Sequence, residues 1–237
     1  MTPHIEADRG DYADTVLLPG DPQRAEWMAE TFLEAPRCVN RRRGALGFTG
    51  LFRGKPVSIQ ATGIGVSSFL IYAHELLDYH DVRTLIRTGT CGSLTAEVKL
   101  RSLVISQSAR AESARSGQVF GLYEAGAGPD PGLLGGALAK AAELGIDHHV
   151  GLTACSDIFH HPEGRVRFAE AQAAGALAVD METSALYRIA RHFGAQALSI
   201  LTVVDNIVTD EQTDYSERQT LFTDMSRLAL EIAMEPR

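Results

Sequence analysis

The chain has 237 residues, of which 45% are hydrophobic and 22% charged, and its formal net charge at pH 7 is −8. These values are typical of a soluble globular protein with a large core, and a negative chain without a basic stripe argues against nucleic-acid binding. No apolar stretch of the sequence reaches the length needed to span a bilayer.

Apolar runs of strand length alternate with segments of helix length along the chain. Strands are predicted at residues 15–18, 56–62, 84–88, 102–109, 149–154, 177–179 and 197–204. Helices are predicted at residues 22–31, 67–79, 131–144, 162–174, 182–193 and 216–234. The alternation favours one α/β domain, residues 1–237, with a mostly parallel sheet and helices on both faces. Residues 113–130, rich in Gly, Ala, Ser and charge, are predicted to form a long surface excursion.

The first predicted strand leads into a turn that suits an oxyanion. Residues 16–24 have the sequence VLLPGDPQR, in which Asp21 is a good N-cap, Pro22 suits the first helical position and Arg24 falls in the first turn. A guanidinium and free backbone N–H groups would then point at one spot. An ordinary strand-to-helix turn with a solvated arginine explains this segment equally well.

A second arginine ends the predicted strand at residues 84–88. Arg87 is followed by small residues, including Thr90, which offers a hydroxyl and an N–H group where ligands bind to parallel sheets. Because an unpaired buried charge is costly, Arg87 needs a partner. We favour a bound anion over a structural carboxylate, and Arg24 and Arg87 together would clamp one phosphate.

The sequence contains no complete dinucleotide-binding, Walker, nucleophile-elbow or metal-binding motif. Residues 62–68, TGIGVSS, follow a strand and open a helix, but Ser68 stands where a dinucleotide-binding turn has its third glycine. Neither a Walker loop nor a G-x-S-x-G elbow is present. The pairs His148-His149 and His160-His161 lack partners at metal-ligand spacing, so no metal site is predicted.

Two carboxylates surround Met181 where a strand gives way to a helix. If the strand continued, Asp180 and Glu182 would share a face, and a carboxylate accepts from both vicinal hydroxyls of a ribose. Helix capping is the alternative, although it explains one acid better than the pair. Spacing alone leaves the two interpretations open.

A further acid lies at the tip of the most apolar strand. Partial burial would raise the pKa of Asp205 and allow it to act as a general acid. Arg218, at the start of the last helix, would adjust that proton by its charge. A turn aspartate with a surface arginine is the simpler explanation for an isolated pair.

Cysteine usage and the N-terminus indicate the compartment. Cys38, Cys91 and Cys155 are widely spaced and odd in number, so neither a disulfide framework nor zinc-ligand spacing is present. The first residues include acids and no apolar core, unlike a signal peptide. A soluble cytoplasmic protein is therefore expected.

Together these segments resemble the bacterial hexameric purine nucleoside phosphorylases, within the nucleoside phosphorylase family that includes uridine phosphorylase. The resemblance runs over nearly the whole chain, and several separate motifs occur in the same order. The matching motifs lie at residues 2–5, 18–22, 43–50, 86–92, 180–182, 211–213 and 217–219. The resemblance implies an α/β domain whose mixed, mostly parallel sheet is partly closed into a barrel.

The resemblance also implies roles for individual residues. It places phosphate at Gly20, Arg24, Arg87 and Thr90, with Arg43 reaching the phosphate of a neighbouring subunit. Its implied nucleoside ligands, beside the candidate Asp180, are His4 across the interface, Phe159, Val179, Met181 and Glu182. Asp205, assisted by Arg218, would protonate purine N7.

The implied reaction is phosphorolysis of purine nucleosides, with inorganic phosphate as co-substrate and no metal or organic cofactor. The implied assembly is a homohexamer built as a trimer of dimers, because His4 and Arg43 act across an interface. Neither a nucleic acid nor a membrane is expected as a partner.

Two alternatives on the same fold are less favoured. Uridine phosphorylases recognise uracil through a Gln-x-Arg pair, whereas this chain has Glu163-Gly164-Arg165, and they lack an acid at the Asp205 position. A hydrolytic nucleosidase or a non-catalytic nucleoside-binding protein has no use for a phosphate clamp. Thr90 in place of serine, Val204 in place of serine and Asn206 in place of histidine are departures from the hexameric pattern, and the last two affect the base pocket.

Overall fold

A computed structural model describes residues 1–111, 127–214 and 222–235. Its strands are β1 (Thr15–Leu18), β2 (Glu34–Asn40), β3 (Gly47–Phe52), β4 (Lys55–Gln60), β5 (Thr84–Ser93), β6 (Leu103–Ala111), β7 (His148–Cys155), β8 (Ala176–Asp180), β9 (Gln196–Asn206) and β10 (Glu211–Gln212). Its α-helices are α1 (Pro22–Phe32), α2 (Val66–Asp78), α3 (Pro131–Leu144), α4 (Ala169–Ala173), α5 (Thr183–Phe193) and α6 (Thr223–Ala233). Short 3₁₀ turns occupy Arg42–Gly44 and Gly164–Phe168.

The strands form one mixed sheet in the order β10-β9-β6-β7-β8-β5-β1-β4-β3-β2. β9 also pairs with β5, so β5, β9, β6, β7 and β8 close into a five-stranded barrel. Parallel pairs join β4 to β1, β1 to β5 and β5 to β9, and antiparallel pairs lie at both edges and at two joints of the barrel. The predicted mixed and partly closed α/β sheet is confirmed.

Both faces of the central strands are buried, because helices cover the sheet on each side. Successive side chains of a strand point to opposite faces. Leu17 of β1 therefore packs with α1, α3 and α6, whereas its neighbours Val16 and Leu18 pack with α2 and α5. A parallel strand covered on both faces is a continuous apolar run, which is how β1 is recognised in the sequence.

The predicted strands and helices are present, with two kinds of difference. β2, β3 and β10 were not predicted, because β2 is largely exposed and contains Pro36, and β3 carries two glycines. Gly50 is needed there, since an added Cβ would lie 3.0 Å from the Glu34 carbonyl oxygen of the paired strand. The helix predicted at 162–174 is instead a 3₁₀ turn followed by the short α4.

Two predictions fall partly outside the described residues. The last predicted helix, 216–234, is present as α6, and its first residues lie in the segment 215–221, outside the described part of the chain. Most of the predicted excursion at 113–130 lies in the segment 112–126, which is likewise outside it. Within residues 1–111, 127–214 and 222–235, no helix has the length and apolar character that crossing a membrane requires.

Candidate active site

Most of the predicted phosphate and general-acid residues lie at the carboxyl ends of neighbouring parallel strands. β4, β1, β5 and β9 are adjacent and parallel, and Gly20 follows β1 while Asp205 lies near the end of β9. The turns after β1 and β4 touch, because the Thr62 N–H donates to the Pro19 carbonyl at 3.0 Å. An added Cβ at Gly20 would lie 3.0 Å from the Gly63 carbonyl oxygen, so the close approach favours glycine.

Arg24 extends from α1 to the end of β5. The predicted cap is confirmed, since the Asp21 side chain accepts from the Gln23 N–H at 2.9 Å. The Arg24 guanidinium donates to the Thr88 carbonyl at 3.2 Å and stacks 3.9 Å from the centre of the Phe222 ring. The turn between β1 and α1 thus brings the Arg24 guanidinium to the β5 strand at the edge where the parallel strands end.

Arg87 is 4% exposed and is held by two carboxylates. Its Nε lies 3.0 Å from Asp180 Oδ2, and its Nη2 pairs with Glu182 Oε2. Burial disfavours the charged guanidinium, but Glu182 and Asp180 outweigh burial and raise the pKa of Arg87. The sequence favoured a bound anion over a structural carboxylate as the partner of Arg87. For Nε and Nη2 that expectation is wrong, because Asp180 and Glu182 occupy these two nitrogens.

The third nitrogen of that guanidinium has a different environment. Arg87 Nη1 is buried and has no hydrogen-bond partner among the described residues. A buried donor without a partner costs free energy, which a bound acceptor would recover. Arg87 therefore retains one donor for an anion, even though its other two nitrogens serve the protein.

Asp180 and Glu182 approach Arg87 by different routes. The strand ends at Asp180, so the two acids do not share a strand face, and Glu182 instead occupies the N-cap position of α5. Asp180 takes the capping role, because it accepts from the Thr183 N–H and hydroxyl. Glu182 forms no cap bond, and its Oε1 accepts from the Gly65 N–H at 2.5 Å. Capping thus explains one acid and not the other.

Asp205 lies beside Gly92 where β5 and β9 pair. The register sets Gly92 opposite Asp205, and an added Cβ at Gly92 would lie 2.8 Å from Asp205 Oδ2. The half-buried carboxylate thus rests over bare backbone. Burial raises the pKa of the adjacent Cys91 thiol well above its ordinary value, and the charges of Asp180 and Asp205 add to that effect. Arg218, predicted to assist Asp205, lies outside the described residues.

Other predicted nucleoside ligands border these acids. Val179 and Met181 flank Asp180 and are half-buried, and Thr90 is half-buried on β5. Phe159 is 73% exposed on the loop after β7, whose Ser156 N–H donates to the Asp180 carbonyl at 2.9 Å. An aromatic ring this exposed has apolar surface to offer a partner or a planar base.

His4 and Arg43 both lie near Tyr72 of α2. The His4 ring is 6.2 Å from the Tyr72 ring, and its Nδ1 lies 2.6 Å from Glu75 Oε1. Arg43 is exposed, and its charge acts on Tyr72 to lower a pKa that burial raises. Among the described contacts, none joins His4 or Arg43 to Arg87. Their role at a subunit interface stays a prediction.

The pairing of Glu75 predicts a pH-dependent contribution to stability. Burial raises the pKa of Glu75, but hydrogen bonds from Thr2 and His4 outweigh it and leave the pKa below its ordinary value of 4.5. The ionised carboxylate therefore stabilises the fold above pH 4.5, and this contribution is lost as the pH falls through the lowered pKa. We expect Glu75→Gln to lower Tm at pH 7 and to lower it less in acid. Thermal unfolding at several pH values measures this, and an equal difference from wild type at every pH contradicts it.

The sequence did not point to three contributors to the site. The Gly65 N–H donates to Glu182, and the buried Cys155 thiol donates to Asp180. The backbone of Gly92 lies against Asp205. Residues 62–68 did stand out as a glycine-rich turn, and their role here is to supply a backbone donor to Glu182. Nothing local marks Cys155, because its partner Asp180 is 25 residues away.

Comparisons with known proteins give a consistent result. Residues 14–235 match the family model described as the phosphorylase superfamily. The chain is 47% identical over 235 residues to a protein of Caldanaerobacter subterraneus subsp. tengcongensis named "Purine nucleoside phosphorylase DeoD-type". That alignment covers 98% of this chain and 100% of the relative.

Proposed function

The chain belongs to the phosphorylase superfamily, and from that premise we propose that it is a purine nucleoside phosphorylase. It cleaves the N-glycosidic bond of purine ribo- or deoxyribonucleosides with phosphate, and releases the purine base and (2-deoxy)ribose 1-phosphate. The observation that carries this proposal is the 47% identity, over the full length of the relative, to a purine nucleoside phosphorylase. The arginines at the sheet edge support it, because phosphorolysis requires a site for a dianion.

In the proposed mechanism the protein positions phosphate beneath the sugar. Phosphate attacks C1′ as the glycosidic bond breaks, and the positive charge that develops on the sugar is stabilised by the phosphate dianion. Arg24 and Nη1 of Arg87, with Gly20 and Thr90, hold that dianion. Holding the nucleophile next to C1′ accounts for much of the rate gain.

The nucleoside occupies the other side of the site in this proposal. Glu182 receives the ribose 2′- and 3′-hydroxyls, since each carboxylate oxygen accepts more than one hydrogen bond. Met181 packs on the ribose, and Val179 and Phe159 line the base. Asp205, with Arg218, protonates N7 so that the purine leaves as a neutral molecule. We propose that inorganic phosphate is a co-substrate and that the reaction needs no metal or organic cofactor.

We further propose that the enzyme works as a hexamer, a trimer of dimers, in which His4 and Arg43 complete the partner's site. His4 would bind the ribose 5′-hydroxyl and Arg43 the phosphate. Their common position around Tyr72 supports a shared interface. A cytoplasmic location suits the three free thiols of Cys38, Cys91 and Cys155.

Uridine phosphorylase on the same fold is the less favoured alternative. A uracil site of that kind uses a glutamine two residues before Arg165, where this chain has Glu163, and an ionised carboxylate cannot donate to a carbonyl. Arg165 is itself occupied, because it donates to the Ile207 carbonyl at 3.1 Å and pairs with Asp210.

The test of the function is base release with and without phosphate. Adenosine, inosine, guanosine and uridine are each incubated with the enzyme, and free base and sugar 1-phosphate are quantified. We expect release from purine nucleosides only when phosphate is present. Release of uracil, or cleavage without phosphate, contradicts the proposal.

The cross-subunit role of Arg43 predicts complementation between two impaired variants, assayed at a phosphate concentration well below the KM of Arg43→Ala. We expect Arg43→Ala to raise the KM for phosphate and Asp205→Asn to abolish the acid step. In a dimer of one Arg43→Ala chain and one Asp205→Asn chain, one site has its own Asp205 and the partner's Arg43, and is therefore intact. Co-expressed chains should regain activity above either parent. A mixture that stays at the parental level contradicts the assignment.

A further inference from the structure

The side chain of Asp180 has no exposed surface, although it lies next to the candidate nucleoside ligands. Its carboxylate accepts from Arg87 Nε at 3.0 Å, from the Thr183 N–H at 3.1 Å and from the Thr183 hydroxyl at 2.6 Å. Cys155 Sγ lies 2.8 Å from its Oδ1. Because its side chain has no exposed surface, Asp180 does not touch a substrate.

We infer that Asp180 is a positioning residue for phosphorolysis, which holds the Arg87 guanidinium so that Nη1 remains available to phosphate. The inference rests on the proposed function. A guanidinium is planar, so fixing two of its nitrogens fixes the third. Asp180 takes Nε and Glu182 takes Nη2, so of the three nitrogens of this guanidinium only Nη1 has no partner among the described residues.

The physical reason is competition between the two acids for one cation. A carboxylate alone with an arginine tends to form two parallel hydrogen bonds. If Asp180 did not hold Nε, the guanidinium would be free to turn about its bond to the side chain and present two nitrogens to Glu182, and Nη1 would no longer be held in its present position. The Gly65 N–H, at 2.5 Å from Glu182 Oε1, holds the other end of that acid.

Asp180 is itself fixed by a buried polar network. Thr183 Oγ1, which donates to Asp180, lies 2.8 Å from Ser199 Oγ on β9. Burial raises the pKa of the Cys155 thiol well above its ordinary value, and Asp180 raises it further. The thiol therefore keeps its proton at neutral pH and donates it in a hydrogen bond to Asp180.

The test compares Asp180→Asn with a matched structural control, Tyr187→Phe. Tyr187 is buried on α5, the helix that Asp180 caps, and its hydroxyl donates to the Ser106 carbonyl at 2.6 Å and accepts from the Ser199 N–H at 3.2 Å. Both variants lose buried hydrogen bonds and should lower Tm. Only Asp180→Asn removes the negative charge that holds Arg87. It also places an amide NH₂, itself a donor, next to the groups that donate to Asp180.

We expect Asp180→Asn to raise the KM for phosphate by about 10-fold or more, the factor for one charge-assisted hydrogen bond. The KM for inosine at saturating phosphate should stay within about threefold of wild type, because in the proposed site Arg87 Nη1 contacts phosphate. Tyr187→Phe should leave both constants unchanged. A phosphate KM unchanged in Asp180→Asn, or raised equally in Tyr187→Phe, overturns the inference.

Two further measurements keep the outcomes distinct. Wild type is assayed first, so that a lack of phosphate-dependent turnover contradicts the proposed function, while calorimetric titration with inorganic phosphate still tests Asp180. If Asp180→Asn does not fold, Cys155→Ala replaces it, because that change removes one donor to Asp180 and alters no charge. We then expect the phosphate KM or Kd to rise by about two- to fivefold, the effect of one weak hydrogen bond. Wild-type values in Cys155→Ala would overturn the inference.

Discussion

Asp205→Asn should lower kcat for inosine by about 100-fold or more, the usual contribution of a positioned general acid. A 6-oxopurine leaves readily only as a neutral base, and an asparagine amide has no acidic proton to give. The substitution changes one atom of a side chain that rests over Gly92, so the backbone pairing of β5 and β9 should survive. Steady-state kinetics and Tm are measured on the same preparation.

A modified substrate makes this prediction specific to protonation. A purine nucleoside methylated at N7 already carries the positive charge that the acid would supply, so Asp205→Asn should cleave it close to the wild-type rate. Asp210→Asn is the matched control, because its carboxylate is exposed and pairs with Arg165 on the surface. Unchanged inosine turnover in Asp205→Asn, or an equal loss with the methylated substrate, refutes the role of Asp205 as the acid.

Arg87→Met should produce the largest loss of stability among these variants, together with loss of phosphate binding. Asp180 and Glu182 face this guanidinium inside the protein, and its removal leaves two buried carboxylates without a cation. Removing one partner of a buried ion pair costs roughly 3–5 kcal/mol. We therefore expect a fall of that size in the free energy of unfolding, measured by urea denaturation at pH 7.

The sign of the pH effect identifies the cause of that loss. Without Arg87, Glu182 loses the charge that lowers its pKa, while burial and the charge of Asp180 still raise it, so the pKa of Glu182 in the folded variant should lie above that of the unfolded chain. The variant should therefore recover stability relative to wild type as the pH is lowered towards 5. Arg9→Met is the control, because it breaks an exposed pair with Asp81 and should change stability far less. A deficit in Arg87→Met that does not change with pH would show that lost packing, not charge, is responsible.

The local parts of the fold were predictable because their causes are local. β1 is a short apolar run, and Asp21 and Pro22 begin α1 as N-cap and first helical residue. β2 was missed because its exposed residues carry no apolar alternation, and it exists by pairing with β3. The ends of β5 and β9 were also missed, since the barrel closure extends both strands to include Gly92 and Asp205.

In the candidate site, too, the sequence predicted the positions of residues but not their long-range partners. The sequence located Arg24, Arg87, Glu182 and Asp205 at strand ends or in the turns that follow them, because parallel strands expose their carboxyl ends at one edge. It did not give the partner of Arg87, because Asp180 is 93 residues away along the chain. An arginine in a buried strand requires a counter-charge, but spacing does not say whether the protein or a ligand supplies it.

The sequence by itself determined the alternation of strands and helices and the turn that begins α1, because each depends on neighbours a few positions away, and it supplied the candidate site residues. Only the tertiary structure decided that Asp180 and Glu182 divide one guanidinium between them, that Glu182 accepts from the Gly65 N–H, and that Nη1 of Arg87 has no partner among the described residues. Those contacts follow from the closure of the barrel and the seating of α5, which bring distant segments within hydrogen-bond distance.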